Sequence, residues 1–173
     1  MNKEELNSIV ELHNIWIESN GEEGKRANLE GANLQGAYLM CTNLERANLQ
    51  GADLCGADLK GTCLENANLK CANLEGAVLW DANLYGVALQ YANLQGADLK
   101  GACLECAKLE GANLQGANLK GVDLYCAYLI GAKFSIEIRN CLSFQNAFVS
   151  KEQLPWLALH FHYAEFLPIL KVK

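Results

Sequence analysis

The chain has 173 residues, enough for one domain with a core of its own, and 51% of them are apolar. Its 14 basic and 20 acidic residues leave a net charge of −6. The basic residues are spread along the chain, which speaks against direct nucleic-acid binding and against attraction to a membrane surface. No stretch approaches the roughly 20 apolar residues of a membrane span, and the acidic start MNKEELNSIV lacks the apolar run of a secretory leader. A cytoplasmic protein is therefore expected, with its eight cysteines as reduced thiols.

Residues 1–25 predict a capping helix and a linker. Leu6, Ile9, Val10, His13, Trp16 and Ile17 fall on one helical stripe. Asn2 with Glu5 reads as a capping box, and Asn20-Gly21 as the helix end. His13 lies on the apolar stripe, where a packed histidine is expected rather than a catalytic one.

From Arg26 to Ser135 the chain divides into 22 uninterrupted pentapeptides. Their central residue is Leu in 21 and Phe134 in the last; two residues earlier Ala stands in 18, the exceptions being Thr42, Thr62, Val87 and Val122. Asn or Asp lies between them in 14, and Gly follows the leucine by two residues in 13. A regular helix would spiral leucines five apart around every side, and a flat strand would alternate them between faces. The pattern closes only if the chain changes direction once per five residues and keeps both apolar positions inside. Gly suits such a corner through its backbone freedom, and Asn and Asp through bonds to nearby backbone groups.

Segments such as ANLEGANLQGAYLM, ANLQGADLCGADLK and ANLQGANLKGVDLY resemble the pentapeptide repeat family, whose consensus is A(D/N)LXX. The resemblance is strict over 26–135 and runs in degraded form to about 150. It implies an all-β solenoid: a right-handed quadrilateral β-helix with four pentapeptides per square coil. The domain reading is then 1–25 N-terminal capping helix, 26–150 β-helix of about six coils, and 151–173 C-terminal helical cap, all within one domain.

Past Phe134 the register predicts central residues at Arg139, Phe144 and Val149. Glu137 and Arg139 do not fit an inward position, so an irregular side is expected near 136–140, with Ile136 and Ile138 turned inward. After it, Ser150 reads as an N-cap with Gln153 as its partner, leading a helical cap that supplies Leu154, Trp156, Leu157, Leu159, Phe161, Phe166 and Leu167. Pro155 predicts a broken or late-starting helix. A solenoid end exposes apolar core and unpaired backbone, so both ends need covering. With both covered, a monomer is expected.

Nothing in the sequence points to an enzyme, a cofactor or a metal. The pair His160 and His162 has no acidic or cysteine partner nearby. Cys103 and Cys106 form a C-x-x-C, but in the solenoid they flank an inward Leu104 on an extended side, with backbones roughly 10 Å apart, too far to share a zinc or a disulfide. Aligning the chain by 20 residues gives one outward column of Met40, Lys60, Trp80, Lys100 and Lys120, beside another of Glu45, Glu65, Tyr85, Glu105 and Tyr125. Solvated ion pairs between them are expected. Against this polar background Tyr38, Met40, Val78 and Trp80 share one wall, with Lys60 and Lys100 within cation–π reach of Trp80. They are the candidate protein-binding surface of a non-catalytic scaffold whose protein partner the sequence does not name. The alternative that the family resemblance implies is a DNA mimic that binds DNA gyrase, a type II topoisomerase. The leucine centres, modest charge and interrupting lysines depart from that acidic-rod pattern.

Overall fold

The structure is a computed structural model that describes residues 1–135, 141, 143, 145–153, 155, 157 and 171–172. One helix, α1 (Lys3–Glu18), precedes a stack of square coils. Parallel bridges join each rung to the residue 20 positions later, from Asn28 with Asn48 to Tyr128 with Phe148. Two-residue strands mark the longest rungs: β1 (Asn113–Leu114) pairs with β2 (Lys133–Phe134), and β3 (Phe148–Val149) with β4 (Lys171–Val172), both parallel. Four turns separate successive bridges in a column, so each coil has four walls. In the first coil their outward mid-wall residues are Asn28, Asn33, Tyr38 and Asn43.

Why five residues build one wall is visible in the unit Ala72-Asn73-Leu74-Glu75-Gly76. Ala72 N–H donates to the Leu69 carbonyl at 3.1 Å and closes the preceding turn. Asn73 N–H reaches back one coil to Ala52, while Leu74 and Gly76 N–H reach forward to Asn93 and Gln95. The fifth donor, Glu75 N–H, would be stranded at the corner. The Asn73 side chain accepts it at 3.3 Å. Every backbone donor of the unit is thereby satisfied, which a stacked coil requires. The same bond, from the residue two positions on, forms at all fourteen Asn and Asp of the repeat.

The corner residue two after each leucine sits at positive φ without exception from Gly31 to Gly131. This is the third position of a type II turn, where glycine is at ease. The backbone demand is met even where the residue is not glycine: Cys41, Arg46, Asn66, Cys71, Asp81, Tyr91, Cys106 and Cys126 all lie at φ +53 to +59. The sheet hydrogen bonds of the walls impose that angle on residues that would otherwise avoid it.

The core is a column of leucines and alanines with near-zero exposure, Leu44 through Leu129. Each buried leucine contributes roughly 1.5–3 kcal/mol of transfer free energy, so the stack carries the fold. Thr62 takes an alanine position at no hydrogen-bonding cost, because its hydroxyl donates to the Leu39 carbonyl at 2.7 Å.

At the N-terminal end the capping box forms as expected between Asn2 and Glu5. Leu6 and His13 are buried, and Ile9 and Val10 pack partly against the first coil. Gly24 lies so close to the helix that a Cβ there would collide with the Leu12 carbonyl oxygen. At the other end Ala147 and Val149 return to the inward positions, and the bridges Asp123 with Ser143 and Tyr128 with Phe148 keep the 20-residue count. The expected irregular side at 136–140 lies outside the described residues. So do Leu142, Phe144 and most of the expected helical cap, including Leu154, Trp156, Leu159, Phe161, Phe166 and Leu167. Gln153 does cap: its side-chain oxygen accepts from Ser150 N–H, and its amide donates to the carbonyls of Leu129 and Ala132 at 2.8 and 3.1 Å. Leu157 is buried beneath this turn. Strand β4 adds a further rung, which the repeat pattern did not announce.

Candidate functional site

The third wall holds the sequence-predicted surface together. Its mid-wall residues Tyr38, Asp58, Val78, Asp98 and Asn118 stand in one bridged column. Beside them, in the turn that ends the wall, stand Met40, Lys60, Trp80, Lys100 and Lys120. Asp58 and Asp98 accept the backbone N–H of Lys60 and Lys100. Tyr38 and Val78 have no group for that bond. On this wall the two rungs that give up the corner hydrogen bond are the two that carry apolar side chains, Met40 and Trp80, at the next outward position.

Trp80 is only half-exposed, and two cations account for its cover. Lys60 Nζ lies 4.8 Å from the ring centroid and Lys100 Nζ 5.5 Å, one from the coil before and one from the coil after. Each contact is worth about 0.5–2 kcal/mol, depending on how far it is desolvated. The indole nitrogen is enclosed without a hydrogen-bond partner. The ion pairs expected between the lysine and glutamate columns do not form: among the described residues the one ion pair is Arg46 with its neighbour Glu45, at 3.4 Å. Lys60 and Lys100 turn over the Trp80 ring instead, and a whole wall separates them from the glutamates.

Two coils below, Tyr38 is 89% exposed and Met40 53%. A cavity of about 220 Å³ opens beside Tyr38, between the start of α1 and the second and third walls, with Leu6, Asn33, Leu34 and Gln35 in its lining. The wall thus offers apolar side chains at two heights with lysines between. Among the described residues no three His, Cys, Asp or Glu side chains gather as metal ligands. Cys103 is held above the ordinary thiol range by burial, and Cys141 is pushed up to about 12 for the same reason, so neither is a ready nucleophile.

The second wall contrasts with this. Asn73 donates to Asp53, Asn93 to Asn73 and Asn113 to Asn93, at 2.9–3.2 Å. This ladder consumes its own polar groups along the axis. Sequence reasoning did not find it, although identical residues spaced by 20 are its signal.

A four-walled solenoid with leucine centres and asparagine-braced corners defines the class. The family model for pentapeptide repeats matches in eight copies, over residues 25–61, 42–70, 67–105 and 102–135. The chain belongs to the pentapeptide repeat family. It is similar to the pentapeptide repeat protein Rfr23 from the cyanobacterium Cyanothece 51142, at 35% identity and TM-score 0.57, over 68% of this chain and 88% of that one. A pentapeptide repeat protein from Nostoc PCC 7120 is 28% identical over 73% and 84%, at TM-score 0.45. QnrB1, a plasmid-mediated fluoroquinolone resistance protein, is 17% identical over 86% and 78%, and its TM-score of 0.37 gives that likeness no functional weight. No curated protein matches the chain. Among the described residues no helix is long and apolar enough to cross a membrane.

Proposed function

We propose that this protein is a non-catalytic scaffold that presents its third wall to another protein, with Tyr38, Met40, Val78 and Trp80 as the contact. The observation that carries the reading is Trp80 clamped between Lys60 and Lys100. A tryptophan ringed by charge and held in place by its neighbours has the makings of an interface anchor, since aromatic residues dominate binding energy at the centre of a patch. Pre-ordering by the lysines reduces the side-chain entropy lost on binding. The finer architecture, a right-handed helix closed by helical caps at both ends, in a cytoplasmic protein, is inferred from the family.

Capture from the native host with wild-type and Trp80→Ala baits tests the reading, alongside thermal melts of both. Partners lost at unchanged melting support it, and partners retained by Trp80→Ala overturn it. The second reading, gyrase binding by DNA mimicry, draws on the column Glu45, Glu65 and Glu105, which repeats one charge per coil except at Tyr85 and Tyr125. Lysines at three of five rungs of the neighbouring column weigh against it. A gyrase supercoiling assay separates the two: inhibition or protection favours the mimic.

A further inference from the structure

The fourth wall carries a charge pattern in which, among the described residues, no lysine meets a glutamate within one copy of the chain, although Glu65 accepts from the side chains of Asn66 and Asn83. Its mid-wall column is Asn43, Cys63, Asn83, Cys103 and Asp123, in strict 20-residue register. The turn entering this wall bears Met40, Lys60, Trp80, Lys100 and Lys120, and the turn leaving it bears Glu45, Glu65, Tyr85, Glu105 and Tyr125. Coil by coil, Lys60 shares its height with Glu65, Trp80 with Tyr85, Lys100 with Glu105, and Lys120 with Tyr125. No ion pair spans the wall among the described residues.

We propose that the fourth wall is a self-association face, occupied by a second copy of this chain related by a two-fold axis parallel to the solenoid axis. That rotation lays wall on wall, exchanges the two edges and keeps every coil at its own height. Lys60 then faces Glu65 of the second copy, Lys100 faces Glu105, and Trp80 faces Tyr85, each contact occurring twice as an isologous interface requires. Lys120 faces the Tyr125 ring. The other face-to-face two-fold, perpendicular to the solenoid axis, would set lysine column on lysine column, and like charges in opposition reject it. The mid-wall side chains lie on the axis, so Cys63 faces Cys63 and Cys103 faces Cys103. One contact opposes the pairing, Asp123 against its own mate.

Five rungs at about 4.8 Å give a face about 20 Å tall and one five-residue wall wide, an area smaller than the ~800 Å² per partner of a standard interface. The association is accordingly weak and salt-sensitive. The expectation of a monomer rested on covered ends and concerns end-to-end stacking, not the walls. Trp80, Lys60 and Lys100 stand at the corner between the third and fourth walls, so the two faces share these side chains and a third-wall partner would compete with the dimer.

Sedimentation of the full chain over rising concentration tests it. The weight-average mass is expected to climb from 18.9 kDa toward twice that value and to fall back in high salt. The pair Lys60→Glu/Lys100→Glu is expected to stay monomeric, as is Glu65→Lys/Glu105→Lys, while an equimolar mixture of the two associates again. Asp123→Asn should strengthen the dimer. A wild-type chain that is monomeric at every concentration overturns the proposal, as does a dimer that the swaps leave intact or the mixture fails to restore. Bismaleimide cross-linking of unaltered chains gives a second readout. Links joining Cys63 to Cys63 and Cys103 to Cys103 between copies support the face, and links confined to Cys55 or Cys71, which lie on turns away from it, contradict it.

Discussion

Ala27 donates its backbone N–H to Nδ1 of His13 at 3.1 Å, and this bond ties the cap helix to the first inward alanine of the solenoid. An imidazole that accepts at Nδ1 carries its proton at Nε2 and is neutral. His13 is fully buried and stacks on Trp16 at 5.7 Å, while its Nε2 is enclosed without a partner. Burial holds its pKa below the ordinary value of 6.5; the backbone and charge of Glu45 push the other way, and Arg26 adds to the depression. The unfolded chain takes up this proton first. The contribution of His13 is therefore fully present above about pH 6.5 and is lost as pH falls below that value toward the depressed folded pKa. Melting temperature should drop with acidification through this window, and His13→Ala should melt lower but lose that dependence. A wild-type melt that is flat below pH 6.5 would show that the cap does not depend on the neutral ring.

Asn73 performs two tasks, accepting Glu75 N–H and linking Asp53 below to Asn93 above. Asn73→Ala leaves a corner donor to solvent and breaks the ladder, and should cost about 1–2 kcal/mol in denaturant unfolding. Lys108 occupies the equivalent place on another wall, and Lys108→Ala should cost under about 0.5 kcal/mol, as surface substitutions do. Equal losses at the two sites would remove the corner bond from the account of why Asn and Asp fill this position.

Leu79 is 1% exposed in a middle coil. Leu79→Ala should cost about 2–5 kcal/mol through lost transfer energy and a residual cavity. Leu79→Glu adds an unpaired buried charge and should abolish folding, read by circular dichroism.

Two corner glycines separate strain from crowding. Gly96 has φ +65 with nothing within 4 Å of an added Cβ, so Gly96→Ala should cost only the left-handed penalty of about 1–2 kcal/mol. Gly111 has φ +68, but its Cβ would meet the Tyr91 ring at 2.6 Å. Gly111→Ala should therefore cost more, and Tyr91→Gly should recover the difference. Failure of that recovery in a double-mutant cycle would mean that the ring moves aside freely.

The inward positions were readable because burial acts on side chains directly: a five-residue apolar period admits only a chain that turns every five residues. The asparagine corners were readable in kind, since Asn and Asp bond nearby backbone, though not that all fourteen do so. Less legible was the left-handed angle at Cys41, Arg46, Tyr91 and their equivalents, where no local preference asks for it and stacking hydrogen bonds impose it. The lysine–glutamate pairs were misjudged because column adjacency in a 20-residue alignment hides the full wall between them, while Trp80 offers the lysines a nearer partner. Strand β4 gave no signal, since Lys171 and Val172 carry no repeat signature and join Phe148 and Val149 through backbone bonds alone. Of the candidate surface, the grouping of Tyr38, Met40, Val78 and Trp80 followed from period alone, and the half-cover of Trp80 did not.

The most direct measurement of the third-wall account is the indole N–H signal of Trp80 in isotopically labelled protein, followed while the captured partner is titrated in. Trp80 Nε1 is enclosed beneath the wall's side chains, and Trp16 lies in the cap helix, stacked on His13. Binding at the third wall should shift the Trp80 signal in proportion to occupancy and leave Trp16 in place. A saturated partner that leaves Trp80 unmoved would contradict the account.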